Sequence, residues 1–184
     1  VLPYPEENEN IKFLFISRIM KEKGIEQYLE AAINIKEKYK NIEFHILGFC
    51  EQDYEEKLKR LMDEGTVIYH GLQKDVIPFL EKVSCLVHPS YYPEGMSNVL
   101  LEASASGRPA ITTNRSGCRE VVEDKKTGYI IDVKNTKQLI EKIEEFLKLP
   151  NEQKKQMGLE ARKKVEREFD RNIVINEYIK EIGK

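Results

Sequence analysis

The sequence predicts an α/β domain: a Rossmann-like parallel sheet with helices on both faces, and further helices at the C-terminal end. Three features carry that expectation. Apolar runs such as IKFLFI (11–16) and IEFHIL (42–47) have the length and continuous hydrophobicity of strands buried on both faces. Each run is followed by a helical-length segment, so strands and helices alternate in units of roughly 20–30 residues, long enough for parallel crossovers. The breaks fall at glycine or proline, among them Gly48, Gly107, Pro109 and Pro150.

Residues 1–10 hold two prolines, two asparagines and three glutamates, a composition that builds no buried element, and read as a linker. The chain starts without an initiator Met, so the linker is expected to lead from an N-terminal domain outside this sequence. Residues 11–168 form the main domain, and 169–184 a C-terminal helix. Within the domain, 11–16 is a strand and SRIMKEKG (17–24) the loop after it. A helix over 25–39 sets Ile25, Tyr28, Leu29, Ala32 and Ile33 on one face. A strand at 42–47, a charged surface helix at 53–62 and a short strand at 67–69 lead into His70-Gly71. The next helix, 76–83, carries Pro78 in its first turn, where the missing N–H is tolerated. Residues 85–87 form a strand. A short helix is predicted at 119–123, a strand at 128–131, and helices at 136–147, 151–168 and 170–182.

Thirty basic and 32 acidic residues give a net charge of −2, and no basic tract with interleaved aromatics offers itself to nucleic acid. No apolar run approaches the roughly 20 residues a membrane span needs, and the polar start has no signal-peptide pattern. Cys50, Cys85 and Cys118 lie far apart, without the close pairs of a metal site, and are expected to be reduced thiols.

The stretch HPSYYPEGMSNVLLEASASGRPAITT (88–113) organises the rest. It reads as a strand end, a proline-punctuated loop, a helix capped by Ser97 or Asn98, a turn at Gly107 and a new strand. A helix that starts at a strand end offers free N–H groups and its positive dipole end to an anion, phosphate above all. In doubly wound sheets ligands sit beyond the carboxyl ends of the strands, and the loops at Arg18, His70, Glu94 and Ser116 all belong to that edge. No Asp-x-Asp stands at a plausible strand end to hold a metal. Negative charge on a diphosphate would instead meet fixed cations, Arg18 as a fork and Lys23 as a point charge, together with the helix dipole.

Glu94 and Glu102 flank the anion site with seven residues between them. This E-x7-E pattern, with SRIMKEKG (17–24) and SGCREVVEDKKTGYII (116–131), resembles the retaining glycosyltransferase family 4, in the donor-binding C-terminal half of its GT-B fold. The likeness runs from Ile11 to about Ile182, with three motifs in the family's order. In a chain that is 34% charged, two glutamates at a fixed spacing would mean little alone.

The resemblance implies roles. Arg18 and Lys23 bind the leaving diphosphate, and Glu94 faces the transferred hexose; these three are the expected catalytic residues. Gly95, Met96, Ser97 and Asn98 present backbone N–H groups to sugar or phosphate, Glu102 holds the ribose, and the loop at His70 and Gly71 reaches the nucleobase. Glu120 sits at the edge of the donor site. The family often has a small or aromatic residue where Met96 stands, a departure that bears on which sugar fits. No metal or other cofactor is implied. The partners implied are a nucleotide diphosphate sugar, with UDP the expected carrier, and a glycan or lipid-linked acceptor approaching through the N-terminal domain. The setting is bacterial surface polysaccharide synthesis in the cytoplasm, peripheral to the inner membrane face through that other domain. The last helix would cross back to it.

Several alternatives stay open. His70 either touches the ligand or is a hydrogen-bonded structural residue, and His88 is equally two-sided. His45 is expected in the core or on a helix-covered face. Tyr91 and Tyr92 line the sugar pocket or merely pack. Another GT-B enzyme, such as a UDP-sugar 2-epimerase, or a non-catalytic nucleotide-sugar module would share these motifs. A Rossmann dehydrogenase would not, because no G-x-G-x-x-G follows the first strand.

Overall fold

The computed structural model describes residues 1–7, 10–50, 52–93 and 95–182. Glu94, the expected sugar-facing carboxylate, lies outside the described residues. Six strands, β1 (Ile11–Ile16), β2 (Ile42–Leu47), β3 (Ile68–Tyr69), β4 (Cys85–His88), β5 (Ala110–Thr113) and β6 (Gly128–Ile131), form one sheet in the order β3-β2-β1-β4-β5-β6. Every pairing is parallel, with Ile11 beside Ile42 and Phe13 beside Cys85.

Alternate residues of β1 enter two separate cores. Phe13 and Phe15 face the cluster containing Phe44 and Ile46, covered by α1 (Ile25–Lys38), α2 (Gln52–Asp63) and α5 (Thr136–Lys148) through Tyr28, Leu29, Leu58, Ile143 and Phe146. Leu14 and Ile16 face the cluster containing Leu47 and Leu86, covered by α3 (Ile77–Leu80) and α4 (Asn98–Ala105) through Leu80, Leu100 and Ala103. A strand buried on both faces has no polar alternation, which is why its sequence is continuously apolar. Tyr28 shows how a polar group survives there: its hydroxyl donates to the His45 carbonyl at 2.8 Å.

The strand order reverses between β1 and β4. The chain leaves β1 toward α1 on one face and leaves β4 toward α4 on the other. The two loops therefore diverge and open a crevice at the carboxyl edge, where doubly wound folds bind ligands.

Two local expectations need correction. Residues 119–123 form no helix but a run of turns, with Cys118 and Arg119 N–H groups donating to the Arg115 carbonyl, because Gly117 is left-handed at φ 88°. The helix expected at 76–83 is a single turn, Ile77–Leu80, with Pro78 at its start. Residues 1–7 have no regular secondary structure and none is buried, and several of their groups are hydrogen-bonded to the domain. Leu2 N–H donates to the Ser106 carbonyl at 3.2 Å, the Tyr4 hydroxyl to the Ser84 carbonyl at 2.8 Å, and the Asn151 side chain to the Pro5 carbonyl at 3.1 Å. These contacts all lie at the amino edge of the sheet, opposite the crevice.

After α6 (Asn151–Glu168), α7 (Arg171–Ile182) leaves Ile173, Ile175, Tyr178, Ile179 and Ile182 exposed instead of packing them on the sheet. No helix among the described residues is long and apolar enough to cross a membrane. No disulfide joins the cysteines among the described residues, and burial pushes the Cys85 thiol well up, so it is no nucleophile.

Candidate functional site

The crevice is built from the loops after β1 and β4. Beyond β1 the backbone stays extended: Ile19 N–H donates to the Phe49 carbonyl at 2.8 Å, and its side chain is fully buried. That anchor leaves Arg18 exposed to solvent on the opposite side of the strand. A 3-10 turn over Lys21–Lys23 then reverses the chain and ends at Gly24, left-handed at φ 81°.

Gly24 is where the two loops meet. A Cβ there would run into the backbone carbonyl of Pro89, so the chain passes only because the residue has none. The loops are also laced together: the N–H groups of Tyr91 and Tyr92 both donate to the Glu22 carbonyl at 2.9 Å. The Tyr92 ring lies under both cations, 4.5 Å from Lys23 Nζ and 6.0 Å from Arg18 Cζ. Arg18 and Lys23 are thus gathered at the switch point.

The second wall is the start of α4. Ser97 occupies the N-cap position, but its side chain does not cap; the hydroxyl instead lies 3.3 Å from His88 Nε2. His88 is therefore buried and structural, and the first-turn N–H groups of α4 have no side-chain acceptor from the cap. Ser97 N–H donates to the Gly117 carbonyl at 2.8 Å, so the loop after β5 props up this helix start. Glu120 accepts from Gly117 N–H at 2.7 Å and pairs with Arg119 at 3.3 Å; it fastens that loop. These bonds hold the Glu120 carboxyl below the usual range against the opposing effect of burial. Glu102 is exposed one turn into α4. Met96 is exposed at the rim, and Gly95 has neither a left-handed backbone nor a neighbour that an added Cβ would meet. The chain itself does not require glycine at that position.

His70 differs from the expectation that it faces the crevice. The register places it on the α3 side of the sheet, where its Nε2 lies 2.9 Å from His45 Nδ1, and His45 Nε2 lies 2.9 Å from Glu43 Oε2. The two rings are nearly coplanar, edge to edge with centroids 5.2 Å apart, beside a cavity of about 260 Å³ lined by Lys12, Phe79 and Lys82. The carboxylate accepts from His45 Nε2, so His45 Nδ1 must be the acceptor and His70 Nε2 the donor. Gly71, next in the chain, gives its carbonyl to Gly48 N–H at 2.9 Å.

Burial holds both imidazoles below the ordinary histidine range. Glu43 partly offsets this at His45 and Lys12 adds to it, while His45 adds to the effect at His70. A base with a lowered folded pKa contributes stability above its ordinary pKa of about 6.5 and loses it as pH falls through the folded value. Urea midpoints should therefore drop between about pH 7.5 and 5.5. His70→Gln keeps a donor for His45 but cannot titrate, so it should drop less; equal drops in both proteins would refute this origin.

Neither the lacing through Glu22 nor the shared Tyr92 ring was read from the sequence. The YYP run was the available signal: two aromatics held in extended backbone before a proline can carry cations on their faces.

The family model described as glycosyl transferases group 1 matches residues 3–164. The chain is similar to the capsular polysaccharide biosynthesis glycosyltransferase CapM of Staphylococcus aureus, at 31% identity over 92% of this chain and 45% of CapM. It resembles a TarM mutant of S. aureus solved in complex with fondaparinux, alpha-GlcNAc-glycerol and UDP, with TM-score 0.82 and 23% identity over 97% of this chain and 36% of that one. It also resembles the C-terminal domain of a group 1 glycosyl transferase, LpcC, from Francisella tularensis, with TM-score 0.76 and 22% identity over 91% of this chain and 95% of that domain. The chain spans about half the length of the curated relatives it matches.

Proposed function

The chain belongs to the glycosyl transferases of group 1, and from that premise we propose that it is the donor-binding half of a retaining hexosyltransferase that uses a nucleotide diphosphate sugar, UDP-linked, in bacterial surface polysaccharide synthesis. The observation that carries this reading is the convergence of Arg18 and Lys23 with the uncapped start of α4 at the topological switch point. The acceptor, a glycan or lipid-linked sugar, would approach from a second domain, against which the exposed isoleucines of α7 would pack. The work would be done in the cytoplasm.

In the reaction the anomeric C–O bond to the diphosphate breaks and its electron pair stays on the distal phosphate oxygen. The acceptor oxygen bonds to the same face of the anomeric carbon, and its proton passes to the departing phosphate. Arg18, Lys23 and the helix dipole hold the developing charge from fixed positions and require no metal ion. Glu102 accepts from the ribose hydroxyls, backbone N–H groups of Gly95 to Asn98 orient sugar and phosphate, and Glu94 faces the hexose. Backbone groups around Gly71 meet the base, while the His70 side chain serves the fold.

The test is ligand-observed NMR titration of the chain with UDP, GDP and ADP, with and without Mg²⁺. One nucleotide should bind independently of metal, and Arg18→Ala should weaken it about 10- to 100-fold, the loss of a charged hydrogen-bonding fork. Equal binding by wild type and variant would refute the site.

A further inference from the structure

We propose that Tyr92 is a positioning residue that uses its ring face to gather Arg18 and Lys23 into one diphosphate clamp. The role rests on the donor-site reading above, but the geometry that carries it is separate. Arg18 and Lys23 stand at opposite ends of a loop that reverses through the 3-10 turn, on long side chains that repel each other. Arg18 is exposed and Lys23 half-buried, so packing alone does not fix their heads. A surface that attracts both heads would bring them together.

The Tyr92 ring supplies that surface. Its π face carries negative electrostatic potential, and both cations lie within about 6 Å of its centroid, the reach of a cation–π attraction. The ring is itself held in place. Tyr92 N–H donates to the Glu22 carbonyl at 2.9 Å and faces Ser90 Oγ at 3.3 Å, and Pro93 restricts the Tyr92 backbone to extended conformations. Glu22 belongs to the turn that carries Lys23, so one backbone tie fixes the ring relative to both cations. The ring comes from the β4 side of the switch point and the cations from the β1 side. The clamp therefore exists only when the two loops are closed on each other. An aliphatic side chain could fill the same space, but it would offer no electrostatic counter-surface. The hydroxyl plays no part, so phenylalanine should serve as well.

The experiment measures dissociation constants by calorimetry for the best-binding of UDP, GDP and ADP and for its monophosphate, on wild type, Tyr92→Leu, Tyr92→Phe and Arg18→Ala. Tyr92→Leu should weaken the diphosphate roughly 3- to 10-fold and leave the monophosphate nearly unchanged, with thermal midpoints equal to wild type. Tyr92→Phe should restore wild-type affinity, which a merely space-filling role does not explain when leucine fails. Diphosphate affinity unchanged in Tyr92→Leu, or phenylalanine as poor as leucine, overturns the role while Arg18→Ala still reports a donor site. A wild type that treats diphosphate and monophosphate alike, with Arg18→Ala equal to it, overturns the donor-site reading and the Tyr92 role together.

Discussion

Arg108→Ala should destabilise the domain by about 3–5 kcal/mol, the largest loss expected from any single side chain here. Arg108 is fully buried, and its recorded partners are all backbone carbonyls: Nε donates to Leu80 at 2.6 Å, Nη2 to Glu81 at 3.0 Å and to Pro3, and Nη1 to Leu2, Ser106 and Gly107 at 3.4 Å. The Tyr4 ring lies 5.4 Å from the guanidinium carbon. Burial lowers the guanidinium pKa, partly offset by Tyr4 and Glu81, yet an arginine keeps its charge.

One cation thus ties the incoming segment to the turn after α3 and the turn after α4, at the edge of the sheet away from the crevice. Alanine would leave carbonyls without donors and a cavity beneath them. Methionine fills most of the space but donates nothing, so Arg108→Met should recover less than half of the loss. Lysine reaches too few of the acceptors to do better than partial rescue. Urea unfolding decides it: with a slope of about 1–3 kcal/mol/M, the alanine midpoint should fall by more than 1 M. If methionine matches wild type, packing rather than hydrogen bonding holds this corner.

Arg108 also shows where sequence reading stops. In SGRPA it looks like a surface charge beside a turn, because nothing local reveals that two distant segments, at Leu2-Pro3 and Leu80-Glu81, bring carbonyls to one point. The strands were legible because burial on both faces writes itself as continuous apolar sequence, and β1, β2 and β6 fall where the pattern puts them. The cations and the helix start were legible because motif spacing fixes them relative to strand ends. His70 was not: its direction depends on register, which pairs His45 with Ile68 and so puts both histidines on one face. The short helix expected at 119–123 failed because Gly117 is left-handed and the Thr127 hydroxyl, which accepts from Glu123 N–H at 2.7 Å, takes the donor that would continue a helix. What the sequence omits is contact between segments far apart in the chain, and the site itself is such a contact.

Gly24→Ala should open that contact and affect stability and ligand binding together. The left-handed backbone alone costs a non-glycine residue on the order of 1 kcal/mol. The larger cost is the collision with the Pro89 carbonyl, a backbone group that cannot rotate away. The loops must separate, which breaks the bonds from Tyr91 and Tyr92 to Glu22 and carries Lys23 off the Tyr92 ring. A total loss of about 2–4 kcal/mol is expected, with nucleoside diphosphate affinity down at least about tenfold. Gly65→Ala is the matched comparison: Gly65 is also left-handed, at φ 70°, but a Cβ there meets nothing within 4 Å. It should cost only the backbone strain and leave diphosphate binding within about twofold of wild type. Urea midpoints and calorimetric titration of both variants separate conformational strain from loop collision. If Gly24→Ala loses no more than Gly65→Ala in both measurements, the closed approach of the β1 and β4 loops does not hold the site together.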